Sequence, residues 1–215
     1  MELSYNKNIK IEAFDSLNTL SKDLVNLLKP GNIALSGGST YLKLLKEWST
    51  LNLDLDGITF FPVDERVVDF NSEDSNWGNT TRNFLSKFSI LPTNHFIDPK
   101  EYQVRLSNIS MDLVFLGVGD DGHTASLFST DVVFAHPYKK VISTISPKEP
   151  KNRISLTGNY LVESNNIIII LFGDGKKDIV NKVLNNIELP ITTLLKRVKN
   201  GTIYIHKPLI GDIHE

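Results

Sequence analysis

A chain of 215 residues with 40% hydrophobic content can bury a sizeable core, and it reads as a single domain over residues 1–215. Its formal net charge of −2 argues against a general nucleic-acid binder, which carries a clear basic excess. The absence of cysteine removes disulfides and thiolate metal sites, and the longest apolar run, Ile167–Phe172, is far too short to span a bilayer. Residues 1–10 are polar and mixed, with no apolar signal core, so the expectation is a soluble cytoplasmic protein without membrane contact.

In chain order, Ile9–Phe14 predicts a strand, and Ser16–Leu28 a helix on the spacing of Leu17, Leu20, Leu24, Leu27 and Leu28. Asn32–Ser36 predicts a second strand and Ser39–Trp48 a helix with Leu42, Leu45 and Trp48 on one side. Ile58–Val63 follows as a strand, Asn79–Phe88 as a helix and Asp112–Leu116 as a strand. Lys140–Ile145 and Ile167–Phe172 are further strands, the second apolar on both faces as an inner parallel strand should be. Asp174–Asn186 predicts a helix and Gly201–His206 a closing strand, while Pro137–Arg153, with three prolines and several charges, reads as a loop-rich insertion. This alternation indicates an α/β fold, a mostly parallel sheet covered by helices, with ligands collecting at the carboxyl ends of the strands.

Four motifs fall at those ends. Ser36–Gly37–Gly38–Ser39–Thr40 lies between a strand and a helix, where glycines accommodate an anion and Ser39 or Thr40 can cap the helix while donating to a phosphate. The lysine and spacing of a nucleotide P-loop are missing. Asp64–Glu65–Arg66, followed by Asp74–Ser75–Asn76, can orient hydroxyls and clamp an anion; the stretch 69–76 is too polar for a core. Gly117–Val118–Gly119–Asp120–Asp121–Gly122–His123 presents an imidazole from a glycine turn. Its match to the dinucleotide pattern G-x-G-x-x-G falls late in the chain, with no acidic residue closing a following strand, and is discounted. Arg153 and Lys176 can bring positive charge to the same edge. His95, His136, His206 and His214 lack such settings and read as surface or packing residues, and no regular ligand spacing points to a metal.

Together, Ser36–Thr40, Asp64–Arg66 with Ser75–Asn76, Gly117–Phe128 and Arg153–Thr157 resemble the 6-phosphogluconolactonase family over most of the chain, roughly Leu20 to Lys196. The resemblance implies a three-layer α/β/α sandwich with a Rossmann-like sheet, related to glucosamine-6-phosphate and ribose-5-phosphate isomerases. It implies cofactor-free hydrolysis of 6-phospho-D-glucono-1,5-lactone in the pentose phosphate pathway. On that reading His123 is the base and Asp121 its partner; Gly37, Gly38, Ser39, Thr40, Arg66, Arg153 and Lys176 hold the phosphate, and Asp64 and Asn76 the sugar hydroxyls. Glucosamine-6-phosphate deaminases share the turn but carry glutamate five residues after the histidine, where this chain has Phe128. Two positions where the family commonly has proline hold Tyr41 and Ser129, an expected loss of local rigidity rather than of chemistry. An isomerase-like enzyme and a non-catalytic sugar-phosphate sensor stay open as alternatives, and oligomeric state is not readable.

Overall fold

The computed structural model describes residues 2–91 and 93–210; His214 and Met1 lie outside the described residues. Strands β1 (Glu2–Leu3) and β2 (Asn6–Phe14) lead through helix α1 (Leu17–Val25) to β3 (Gly31–Leu35), and α2 (Ser39–Trp48) leads to β4 (Ile58–Pro62). The short β5 (Asp64–Arg66), α3 (Asn76–Asn83), a 3₁₀ turn (Leu85–Phe88) and α4 (Pro99–Arg105) precede β6 (Leu113–Leu116). Then come α5 (Thr130–Val133), β7 (Val141–Ile145), β8 (Asn152–Leu156), α6 (Gly158–Leu161) and β9 (Ile167–Leu171). A 3₁₀ turn (Asp174–Lys176), α7 (Lys177–Leu184), α8 (Pro190–Leu195), β10 (Gly201–His206) and α9 (Lys207–Ile210) complete the order.

Among the described residues, a seven-stranded sheet runs β1-β2-β10-β9-β6-β3-β4, parallel throughout except for the antiparallel edge strand β1. Its inner strands bury both faces in turn. Ile167, Ile169 and Leu171 of β9 pack into one core with Ile179 and Val183 of α7 and Ile191 and Leu194 of α8. Ile168 and Ile170 pack into the other with Leu20 and Leu24 of α1 and Leu44 and Trp48 of α2. The alternation is the pleat of a strand read against helices on both sides, which makes the three layers.

The expected parallel sheet is therefore present, but part of the chain departs from it. Strands β5, β8 and β7 form a separate antiparallel sheet, so the 137–153 segment is not merely a loop-rich insertion, and the strand near 140–145 does not join the main sheet. Helix α3 begins at Asn76 rather than 79, because the Ser75 hydroxyl accepts from the Gly78 N–H and caps it. It ends at Asn83, with 85–88 in a 3₁₀ turn. Helix α1 likewise starts after its cap, Ser16.

The loops that build the cleft leave β3 and β6, adjacent strands whose connections part to opposite sides of the sheet. The chain leaves β3 for α2 and β4, and leaves β6 toward β9. A crevice opens between diverging connections of this kind, outside the carboxyl ends of the strands.

Candidate active site

The two loops are tied together at that crevice: the Gly117 N–H donates to Ser36 Oγ at 2.9 Å, and Thr124 Oγ1 donates to the Gly117 carbonyl at 2.9 Å. Beyond Gly117 the backbone closes on itself, Gly119 N to the His123 carbonyl at 2.8 Å and Gly122 N to the Gly119 carbonyl at 3.0 Å. The His123 ring lies back over this turn. A Cβ on Gly119 would stand 2.2 Å from the ring, so glycine there is what lets the imidazole occupy its position.

His123 Nδ1 meets Asp121 Oδ1 at 2.5 Å, and the His123 backbone N–H donates to the same oxygen at 3.2 Å. Burial works against the Asp121 carboxylate, but its bonds to the His123 ring and to backbone N–H groups outweigh that cost and hold its carboxyl below the usual range. An ionised carboxylate on Nδ1 assigns the proton to that nitrogen and leaves Nε2 as the acceptor. The His123 side chain is 32% exposed, with the Phe128 ring 4.9 Å away, centroid to centroid.

Helix α2 opens onto the same space. Its N-cap is Gly38, which makes no side-chain capping bond, and Ser39 and Thr40 are the first helical residues. The expectation that Ser39 or Thr40 caps the helix is thus corrected: Gly38 is already extended, at φ −68° and ψ 164°, and the helix starts after it. The first intrahelical donor is Leu42, bonded to the Gly38 carbonyl at 2.9 Å. A helix start without a side-chain cap favours an anion. Gly37 serves differently: a Cβ there would collide at 2.4 Å with Asn76, whose side chain fills the position.

The third wall is the small antiparallel sheet, in which Arg66 on β5 lies directly opposite Arg153 on β8. Two guanidinium groups meet across strands, and the Nε of each is buried without a partner. Burial, then the neighbouring Arg66 charge, push the Arg153 guanidinium down, against Asp64, Glu65 and Asp74. An anion bridging the pair would relieve both the repulsion and the unpaired donors. Behind them the Glu65 carboxylate is fully buried and accepts from the N–H groups of Arg66, Asn76 and Trp77, each at 2.7 Å, and from Ser75 Oγ at 3.0 Å. This anchors Ser75 and Asn76, which are buried despite the polarity of 69–76. Asn76 Nδ2 donates to the Asp64 carbonyl at 3.1 Å, and its Oδ1 is buried without a partner.

One cleft of about 510 Å³ is lined by His123, Asp121, Gly38, Ser39, Thr40, Asp64, Arg66, Asn76, Arg153 and Lys176, with Gly37 just behind it. Lys176 arrives already engaged, its ammonium 2.6 Å from the Val118 carbonyl and 2.6 Å from Asp120. Lys176 is thus paired on both contacts, whereas the Nε donors of Arg66 and Arg153 have no partner. Sequence reasoning missed the buried Glu65 carboxylate as the anchor of Asn76 and missed Ser126 as cleft lining. It also missed Ser146–Glu149 on the β7–β8 connection as cleft lining. Fully polar contacts between distant strands leave no local pattern.

A family model described as glucosamine-6-phosphate isomerases/6-phosphogluconolactonase matches residues 12–204. The chain belongs to that family. A relative from Caenorhabditis elegans is 34% identical in an alignment of 175 positions that covers 71% of this chain and 65%, just under two thirds, of that protein. The 6-phosphogluconolactonase of Borreliella burgdorferi is 31% identical over 79% of this chain and 77% of its own length. The crystal structure of Thermotoga maritima 6-phosphogluconolactonase superposes with a TM-score of 0.79 at 25% identity, covering 92% of this chain and 99% of that one.

Within the isomerase and lactonase family, the two positions read as departures have physical accounts. Tyr41 is buried, and its hydroxyl lies within hydrogen-bond distance of the Leu116 and Ile168 carbonyls, at 2.9 and 3.1 Å, and accepts from the Ile170 N–H at 3.2 Å. It thereby ties β6 to β9 beside the glycine turn. Ser129 has φ −136°, which a proline ring locked near −65° does not reach.

Proposed function

We propose that this chain hydrolyses 6-phospho-D-glucono-1,5-lactone to 6-phospho-D-gluconate, acting as one domain in the cytoplasm as a step of the oxidative pentose phosphate pathway. The observation that carries this reading is the His123–Asp121 pair at 2.5 Å in the same cleft as two cross-strand arginines with unpartnered Nε donors. A base and an anion grip in one crevice suit a substrate with an electrophilic carbonyl at one end and a phosphate at the other.

In the proposed step the oxygen of a water attacks the lactone carbonyl carbon while His123 Nε2 takes its proton. Backbone N–H groups of the glycine turns supply donors for the oxyanion. As the tetrahedral centre collapses, the bond from carbon to ring oxygen breaks, and the imidazolium returns the proton to that oxygen. Arg66, Arg153 and the uncapped start of α2 take the phosphate; Asp64 and the free Asn76 Oδ1 take hydroxyls. Phe128, against the imidazole, has no proton to transfer, which supports ester hydrolysis over amino-sugar deamination.

Purified protein added to freshly generated 6-phosphogluconolactone should release acid far faster than the blank and should release no ammonia from glucosamine 6-phosphate. Acid release at the blank rate removes the proposal. Arg66→Ala should lower kcat/KM about 10- to 100-fold, the worth of a charge-assisted bond to phosphate of roughly 1.5–3 kcal/mol. The dephosphorylated lactone should be a correspondingly poor substrate of the parent and indifferent to that change. Equal use of both lactones by the parent removes the arginines from the assignment.

A further inference from the structure

Ser126 follows the candidate base by three residues and is 1% exposed. All three of its polar groups are committed to the small antiparallel sheet, one to each strand or its flank. Its hydroxyl donates to Asp64 Oδ2 on β5 at 2.6 Å, and its backbone N–H donates to Ser155 Oγ on β8 at 3.1 Å. Its carbonyl accepts from Thr144 Oγ1 on β7 at 2.8 Å. The preceding Ala125 is held at φ 51°, a left-handed conformation that a non-glycine residue keeps only when its surroundings impose it. At its other end the same loop is pinned to the main sheet through Gly117 and Ser36.

The loop carrying His123 is thus fixed at one side to the parallel sheet and at the other, through one serine, to the sheet that carries Arg66 and Arg153. Resting on the lactonase reading above, we propose that Ser126 is a positioning residue: it sets the register between the base and the arginine grip, without itself touching the reacting atoms. A substrate held by its phosphate reaches the base in productive geometry only if those two units keep their spacing, and small misplacements of a reacting group are costly in rate.

The test is a double-variant cycle on kcat/KM for 6-phosphogluconolactone, with parent, Ser126→Ala, Arg66→Ala and the combination. Ser126→Ala should cost about tenfold in the parent background, chiefly in kcat. In the Arg66→Ala background, where the grip no longer dictates where the lactone sits, it should cost under about threefold. A purely structural role, or direct contact with substrate, predicts the same loss in both backgrounds and overturns the inference. Thr144→Val removes the carbonyl anchor without altering the serine and should show the same background dependence at smaller size. It also decides the matter if Ser126→Ala does not fold, since equal losses or no loss in both backgrounds would refute the coupling. A parent that fails to turn over the lactone removes the lactonase reading first, and is seen before any variant is made.

Discussion

Replacing His123 by alanine should remove about 10²–10⁴-fold of the enzyme-driven lactone hydrolysis while leaving the protein folded, because that is the range a positioned general base contributes. The ring is one-third exposed, with Asp121 and Phe128 beside it, so its removal opens no core cavity and the stability change should stay within about 1 kcal/mol. Rates must be corrected for the unaided hydrolysis of the lactone. Near-normal corrected turnover, with an unchanged melting curve, would take His123 out of the mechanism. Asp121→Asn is the informative companion, since it keeps the shape but withdraws the charge that stabilises an imidazolium and fixes the Nδ1 proton; a smaller loss in kcat is expected. The acid side has a definite sign. A depressed folded pKa means that the stabilisation from Asp121 is present above the unfolded carboxylate value and is lost only as pH falls through the lowered one. Loss of activity near neutrality on the acid side should therefore not trace to this carboxylate.

What was legible in the sequence is what is written locally. The run Ile167–Leu171 announces a strand buried on both faces, and Gly117–His123 announces a turn that presents an imidazole. Arg66 and Arg153 are different: they are 87 positions apart by their numbering, and only the antiparallel pairing of two short strands puts them opposite each other. Strand β5 has three residues, two of them acidic, and no alternation could mark it. Helix α4 did carry a start signal, Asp98 capping the Lys100 N–H with Pro99 in the first helical position, but its seven residues bury only Tyr102, leaving too little apolar periodicity. The pairing of Lys176 with Asp120 was equally invisible, because a lysine and an aspartate 56 positions apart by their numbering carry no mutual signal. Motifs that line the cleft were legible, and the long-range contacts between them were not.

Glu65→Gln should be the most damaging substitution for stability, lowering it by about 3–5 kcal/mol, the range for breaking a buried charged network. The parent carboxyl is fully enclosed; burial pushes it up from the usual range, and four donors pull against that. Each oxygen takes two of them, Arg66 N and Asn76 N on Oε1, Ser75 Oγ and Trp77 N on Oε2. Glutamine keeps the shape but can accept at only one of those atoms, so in either amide orientation two donors face an NH₂ group. His95 offers no compensation: its Nε2 is 4.0 Å from Oε2, and burial pushes its imidazole down, against the pull of Asp69, toward the neutral form. For a chain of this size, at about 2–4 °C per kcal/mol, the loss should appear as a fall in Tm of about 6–20 °C. Because the freed N–H groups begin α3 and follow Glu65 itself, the damage should also reach Asn76 and Arg66 in the cleft, raising KM for the lactone at temperatures where the variant is still folded. A Tm within about 2 °C of the parent would mean that water or a rearranged loop satisfies these donors, and that the start of α3 does not depend on a buried carboxylate.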